Sequence, residues 1–141
     1  MKHSPRKRFG QNFLIDDIVV GNLVKSLGLQ SDKDVLEIGP GKGAITELIL
    51  PKCKHLTVVE IDRDLATLLS KRFGDKNNFT LYTQDILKTN LQDIVTPDAN
   101  LKIVGNLPYN VATQILLLFN EYQHTHKDSV SAMYFMLQKE V

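Results

Sequence analysis

The sequence has few of the features that mark secreted, membrane-spanning or disordered proteins. Its 141 residues include one cysteine, so no disulfide can form within the chain, and we expect Cys53 to be a small buried side chain. The apolar run Ile115–Phe119 is too short to cross a bilayer. Hydrophobic residues make up 43% of the chain and charged residues 23%, as in an ordinary folded domain. We therefore expect a cytoplasmic globular protein with no membrane segment.

Positive charge is concentrated at the N-terminus, although the net charge is only +1. Residues 1–15 hold four basic side chains and no acidic one, which leaves the remainder of the chain at −3. The basic residues are Lys2, Arg6, Lys7 and Arg8. A solvated, frayed terminus is one interpretation. Phe9 and Phe13 lie among the basic residues and favour an arm that binds phosphates. The sequence thus predicts a basic arm at 1–15, followed by one domain at 16–141.

Short apolar runs alternate with helical stretches beyond the arm. Strands are predicted at Asp34–Ile38, His55–Ile61, Phe79–Thr83, Leu101–Gly105 and Val130–Leu137. Helices are predicted from Asp16 or Asp17 to a stop at Gly28, and at Ala44–Leu50, Arg63–Phe73 and Val111–Tyr122. The stretch Asp85–Thr96 is ambiguous, with room for a short helix. This alternation predicts an α/β fold with a mostly parallel sheet and helices on both faces.

Two of the predicted strands end in residues suited to a nucleoside-containing cofactor. Gly39, Gly41 and Gly43 follow the first strand, where glycines let the backbone turn tightly and approach a ligand. Glu60 ends the second strand about 20 positions after Gly39, the spacing at which a carboxylate reaches ribose hydroxyls. Asp62 is better explained as the cap of the next helix. These features fit NAD and S-adenosylmethionine about equally well.

The third strand leads into Asp85 and Ile86. A carboxylate at this strand end can accept a hydrogen bond from an adenine amino group, and the apolar side chain can flank the ring. Taken by itself, Asp85 is better explained as a turn residue that caps the next helix. The third strand alone therefore leaves the choice of cofactor open.

The fourth strand ends in the most informative string, Asn106-Leu107-Pro108-Tyr109. Pro108 stiffens a loop and pushes Leu107 toward extended geometry. The Asn106 side-chain carbonyl and a nearby backbone carbonyl can then accept both hydrogens of one planar amine, while Tyr109 offers a flat face for a base. Two neutral acceptors favour release of the amine's lone pair for attack on a methyl carbon. An NAD enzyme has no use for this arrangement.

Taken together, these strings resemble the ribosomal RNA adenine dimethyltransferases of the KsgA type, in a bacterial-like form. The resemblance spans the whole chain, and the pairing of Lys-Arg-Phe-Gly-Gln-Asn-Phe-Leu with Asn-Leu-Pro-Tyr is highly specific to that family. The matching segments are Arg6–Leu14, Glu37–Gly43, Val59–Asp62, Gln84–Ile86, Asn106–Asn110 and Phe135–Val141.

The resemblance implies a Rossmann-like class I methyltransferase fold that uses S-adenosylmethionine and no metal. The cofactor-binding residues it implies are Gln11, Asn12, Leu14, Gly39, Gly41, Glu60, Ile61, Asp85, Ile86 and Asn106. The catalytic residues it implies are Asn106, Leu107, Pro108 and Tyr109, with Tyr109 stacking on a flipped adenine. The RNA-binding residues it implies are Arg6, Lys7, Arg8 and Phe9.

The family's implied reaction is dimethylation at N6 of two adjacent adenosines near the 3′ end of small-subunit rRNA, within an assembling ribosomal subunit. The family's chains are longer. They add two sheet strands, a second aromatic for the target base and a small helical C-terminal domain, and they are expected to be monomers at full length. We therefore expect the methyltransferase domain to be incomplete here, stopping after the fifth strand.

Two other functions compete with this interpretation. Methyltransferases that act on large-subunit rRNA and confer antibiotic resistance resemble Asn-Ile-Pro-Tyr at the catalytic string, so Leu107 and the segment Gln138–Val141 argue against them. A ribosome-assembly factor that binds RNA without turnover would also use the basic arm. Substitution of Glu60 or Asn106 distinguishes an enzyme from such a binding factor. In an enzyme it would abolish methyl transfer and leave RNA binding nearly intact.

Overall fold

The computed structural model describes residues 17–96, 100–127 and 129–138. They form a five-stranded, fully parallel sheet in the order β3-β2-β1-β4-β5. The strands are β1 (Asp34–Ile38), β2 (His55–Val59), β3 (Phe79–Tyr82), β4 (Leu101–Pro108) and β5 (Val130–Gln138). The helices are α1 (Asp17–Ser26), α2 (Ala44–Ile49), α3 (Arg63–Phe73) and α4 (Tyr109–Thr125). The predicted α/β sheet is confirmed.

Apolar side chains that alternate along the strands build one core on each face of the sheet. Leu36 and Ile103 belong to the core that α4 covers through Ile115 and Phe119. On the other face, strand residues such as Leu56 belong to a second core. Residues of α1, α2 and α3 complete that core; they include Val24, Ile49 and Leu69. Helices therefore lie on both faces, as the sequence predicts.

The order of the strands creates a switch point between β1 and β4. The chain moves outward from β1 to β2 and β3, then returns to the opposite side of β1 with β4 and β5. In open parallel sheets, ligands bind beyond the carboxyl ends of the strands at such a switch point. The turn after β1 and the end of β4 meet there, so both predicted functional strings lie at this position.

Several predicted boundaries are wrong by two or three residues. β4 extends to Pro108 instead of ending at Gly105, because Asn106–Pro108 pairs with the end of β5. β2 ends at Val59 instead of Ile61. α4 begins at Tyr109 and ends at Thr125, so it is longer at both ends than the predicted Val111–Tyr122.

Smaller differences concern connections. A short 3₁₀ helix, Leu50–Lys52, follows α2 with Pro51 in its first turn, so the α-helix ends at Ile49 instead of the predicted Leu50. The ambiguous stretch contains two 3₁₀ helices, Ile86–Lys88 and Leu91–Asp93. The expected stop at Gly28 follows α1 with φ +57°, a left-handed value that glycine adopts without strain. None of the helices in the described part of the chain combines the length and apolarity needed to cross a membrane.

Candidate active site

The turn after β1 comes close to the end of β4 at Gly39. This glycine has φ +64°, and a Cβ atom added to it would lie 3.0 Å from Leu107 Cδ2 and 3.8 Å from the Asn106 carbonyl oxygen. The Leu107 side chain would have to shift to admit a larger residue at this position, and the positive φ would strain it. The structure therefore brings the glycine-rich string and the Asn-Leu-Pro-Tyr string into contact, although they lie more than 60 residues apart in the sequence.

Glu60 connects the end of β2 to the same turn. Its side chain is fully buried, Oε1 accepts a hydrogen bond from the Gly41 N–H at 3.2 Å, and Oε2 accepts one from the Asp62 N–H at 2.9 Å. The carboxylate thus shapes the turn and is also placed at the strand edge where the sequence predicts ribose binding.

Glu37 is a buried acid that the sequence analysis did not single out. It lies on β1, is 1% exposed, and accepts a hydrogen bond from Thr46 Oγ1 at 2.5 Å, while no partner for Oε2 is found within the described residues. Burial raises the pKa of Glu37 from 4.5 to about 8, the nearby Glu60 carboxylate adds to the rise, and the Thr46 bond partly offsets it. The sequence signal that could have identified Glu37 is its position as an acid among the apolar residues of the strand Asp34–Ile38.

The residues that follow Glu60 have separate tasks. Asp62 caps α3, because its Oδ1 accepts hydrogen bonds from the Asp64 N–H at 2.8 Å and the Leu65 N–H at 3.2 Å. The predicted cap is confirmed. Ile61, between the two acids, leaves 39% of its surface exposed and therefore presents an apolar side chain beside Glu60.

The third strand end is built around a local cap. Asp85 Oδ1 accepts a hydrogen bond from the Leu87 N–H at 3.0 Å and so begins the 3₁₀ helix that contains Ile86. Ile86 is 5% exposed and packs in the core beneath α4. The capping interpretation of Asp85 is thus confirmed, and a contact of these two residues with adenine stays a prediction.

At the end of the fourth strand, a hydrogen bond restrains the backbone of Asn106, and the aromatic ring of Tyr109 is exposed. Asn106 is partly buried, and its carbonyl oxygen accepts a hydrogen bond from Gln138 Nε2 at 3.3 Å. Pro108 ends β4, and Tyr109 begins α4 with 65% of its surface exposed. The expectation of a loop stiffened by Pro108 is wrong, because this segment pairs with β5 as part of β4.

Other predicted residues fall outside this geometry. The residues outside the described part of the chain are Gln11, Asn12, Leu14, Arg6, Lys7, Arg8 and Phe9.

Cys53 is 6% exposed, and burial raises the pKa of its thiol to about 11, with a further contribution from Asp34. It is therefore a protonated buried thiol, as expected from the sequence.

Comparisons with known proteins identify the family of the chain. The family model described as "Ribosomal RNA adenine dimethylase" matches residues 2–141. A relative from Saccharophagus degradans, "Ribosomal RNA small subunit methyltransferase A", is 44% identical over 99% of this chain and 50% of its own length. The protein of that name from Coxiella burnetii is 44% identical over 100% of this chain and 53% of its own length. The chain thus spans about half the length of the curated relatives it matches.

Solved structures share the fold. The "23S rRNA methyltransferase ErmE" superposes with a TM-score of 0.64 and 28% identity, over 74% of this chain and 41% of its own. A "dimethyladenosine transferase from Plasmodium falciparum" superposes with a TM-score of 0.63 and 27% identity, over 77% of this chain and 38% of its own. The Rossmann-like methyltransferase fold is confirmed. With a family match across nearly the whole sequence, the chain belongs to the ribosomal RNA adenine dimethylase family.

Proposed function

We propose that this chain is the cofactor-binding and catalytic part of an enzyme that methylates RNA. The enzyme transfers methyl groups from S-adenosylmethionine to the N6 amines of two adjacent adenosines near the 3′ end of small-subunit rRNA, in an assembling ribosomal subunit. The contact between Gly39 and the Asn106–Leu107 end of β4 carries the proposal, because it joins the predicted cofactor turn to the predicted amine acceptors. Relatives named for the small subunit, at 44% identity, favour that substrate over large-subunit rRNA.

The residues present fit S-adenosylmethionine, which supplies a methyl group on a positively charged sulfur when bound. Gly39, Gly41 and Gly43 all have positive φ, so the turn has the close-approach backbone that the methionine part needs. Glu60 can accept hydrogen bonds from the two ribose hydroxyls. Ile61 is exposed beside it, and Asp85 lies at the neighbouring strand end for the adenine amino group.

The target amine would meet neutral acceptors. The Asn106 side-chain carbonyl and a neighbouring backbone carbonyl would hold its two hydrogens out of the ring plane, so the nitrogen lone pair leaves conjugation with the ring and faces the methyl group. The new nitrogen–carbon bond would form as the carbon–sulfur bond breaks, with its electron pair left on the sulfur of S-adenosylhomocysteine. The methylated amine would then lose its newly acidic proton to water, so no strong base is required. Tyr109 stacks on the extruded adenine, which offsets a few kcal/mol of unstacking. Pro108 keeps Tyr109 at the start of α4.

Partner binding follows from the same proposal. Arg6, Lys7, Arg8 and Phe9 would bind RNA phosphates, so neutralising the three basic residues would weaken RNA binding and flatten its dependence on salt. If the dependence of RNA affinity on salt concentration does not change, the arm does not contact the RNA phosphates. We propose a cytoplasmic protein that acts as a monomer at full length.

Calorimetric titration with S-adenosylmethionine and with NAD tests the proposal. We expect the chain to bind the first and not the second, and a folded Glu60→Gln variant, which retains one acceptor oxygen for the turn, to bind it much more weakly. Glu121→Gln is the matched control, because it removes an exposed acid from α4. A folded chain that binds neither cofactor would contradict the proposal. Methyl transfer to large-subunit rather than small-subunit rRNA would favour the antibiotic-resistance alternative.

A further inference from the structure

The end of α3 packs against the turn that follows β1. Gly43 has φ +96°, and a Cβ atom added to it would lie 2.9 Å from Phe73 Cε2, 3.1 Å from Arg72 Nη1 and 3.2 Å from Leu69 Cδ2. All three atoms belong to the second half of α3. The turn is therefore in van der Waals contact with a helix that begins about 20 residues later in the sequence.

Arg72 makes three contacts in this region. Its Nη1 donates a hydrogen bond to the Lys42 carbonyl oxygen, its Nη2 lies 3.5 Å from Glu47 Oε2, and its guanidinium carbon lies 4.6 Å from the centre of the Phe73 ring. The three contacts restrain the guanidinium although 37% of the side chain is exposed. Arg72 thus joins α3 to the turn and to α2.

Two opposite charges therefore hold successive residues of the turn. The Glu60 carboxylate accepts from the Gly41 N–H, and the Arg72 guanidinium donates to the Lys42 carbonyl. A glycine-rich turn has many accessible conformations, because glycine adopts positive and negative φ about equally. Contacts to both polar groups of the backbone select one of those conformations before a ligand arrives.

We propose that Arg72 is a positioning residue for cofactor binding. It acts through the Lys42 carbonyl and holds the turn at residues 39–43 in the conformation that receives the methionine part of S-adenosylmethionine. This inference rests on the proposed function. Lysine could not replace it fully, because one ammonium group lacks the planar fork that reaches the Lys42 carbonyl and Glu47 together.

Titration with two ligands separates this role from general destabilisation. 5′-Methylthioadenosine has the ribose and adenine of S-adenosylmethionine but no amino acid part. For Arg72→Ala we expect about tenfold weaker binding of S-adenosylmethionine, the effect of losing one charge-assisted hydrogen bond. Binding of methylthioadenosine should stay within about twofold of wild type, and Arg72→Lys should give an intermediate loss. Lys71→Ala is the control, because it removes the same charge from the same helical turn.

Amide hydrogen exchange provides a test that needs no cofactor. The Gly43 N–H donates to the Pro40 carbonyl at 3.1 Å, so its exchange rate reports on the turn itself. We expect faster exchange at Gly43 in Arg72→Ala and none of that change in Lys71→Ala.

Equal weakening of both ligands, equal effects of the two alanine variants, or unchanged exchange at Gly43 would each overturn the inference. If the wild-type chain binds no S-adenosylmethionine, the proposed function and the cofactor role of Arg72 fall together. The exchange result would then still show whether Arg72 holds the turn.

Discussion

The two halves of the site differ in how they are built. At the ends of β1 and β2, the acids Glu37 and Glu60 are both fully buried, and hydroxyl or main-chain donors bind them. At the end of β4, Tyr109 leaves 65% of its surface exposed and Asn106 is partly buried. The first half is built around two buried acids, and the second is an open, neutral surface.

This difference matches the two ligands of the proposed reaction. A small cofactor can be enclosed, so its half of the site can be shaped in advance by buried groups. A base within a large RNA must enter from outside, so its half must remain accessible. Substitutions in the first half should therefore change stability, whereas substitutions in the second should change only function.

The strongest effect is expected for Glu60→Ala. The change removes the acceptor for the Gly41 and Asp62 N–H groups and leaves a buried cavity. Each orphaned donor costs about 1–3 kcal/mol, so we expect a loss of about 4 kcal/mol in the free energy of unfolding, measured by urea denaturation. Glu60→Gln should lose less, because it retains one acceptor oxygen. An unchanged unfolding midpoint for Glu60→Ala would show that the two main-chain bonds do not hold the turn.

An effect of comparable size, but spread over the interval from pH 5 to pH 8, is expected for Glu37→Gln. The folded protein keeps the Glu37 proton up to its pKa of about 8, whereas the unfolded chain releases it above about 4.5. Folding therefore loses about 1.4 kcal/mol for each pH unit between these values. Glu37→Gln has no proton to release, so its unfolding free energy should fall less between pH 5 and pH 8.

Urea denaturation at several pH values measures this slope. Glu47→Gln serves as the control, because it removes an exposed acid from α2. Parallel pH curves for wild type and Glu37→Gln would contradict the raised pKa of Glu37.

The smallest effect on stability is expected for Tyr109→Ala. Tyr109 is mostly exposed at the first position of α4, so the free energy of unfolding should change by less than about 0.5 kcal/mol. Methyl transfer to RNA should nevertheless fall strongly, and Tyr109→Phe should retain most of it, because stacking requires only the ring. A large drop in thermal stability for Tyr109→Ala would remove the contrast between the two halves.

Sequence reasoning located the elements and the short-range contacts well. The cap of α3 by Asp62 follows from residues within one helical turn, and it is confirmed. The boundary of β4 was wrong because pairing with β5, some 30 residues later, decides where that strand ends. Glu37 and Arg72 were missed for the same reason. Their importance lies in burial and in contacts with distant segments, which no local pattern reports.

By itself, the sequence determined the alternation of strands and helices, the glycines that allow a left-handed turn, and the residues placed at each strand end. These properties depend on side-chain type and on near neighbours. Only the tertiary structure decided the strand order β3-β2-β1-β4-β5 and the contact of Gly39 with Leu107. It also decided that Glu60 and Arg72 form hydrogen bonds to the same turn. Those features arise because parallel strands pair across long stretches of chain, and the hydrogen bonds and burial that result exist only after that pairing.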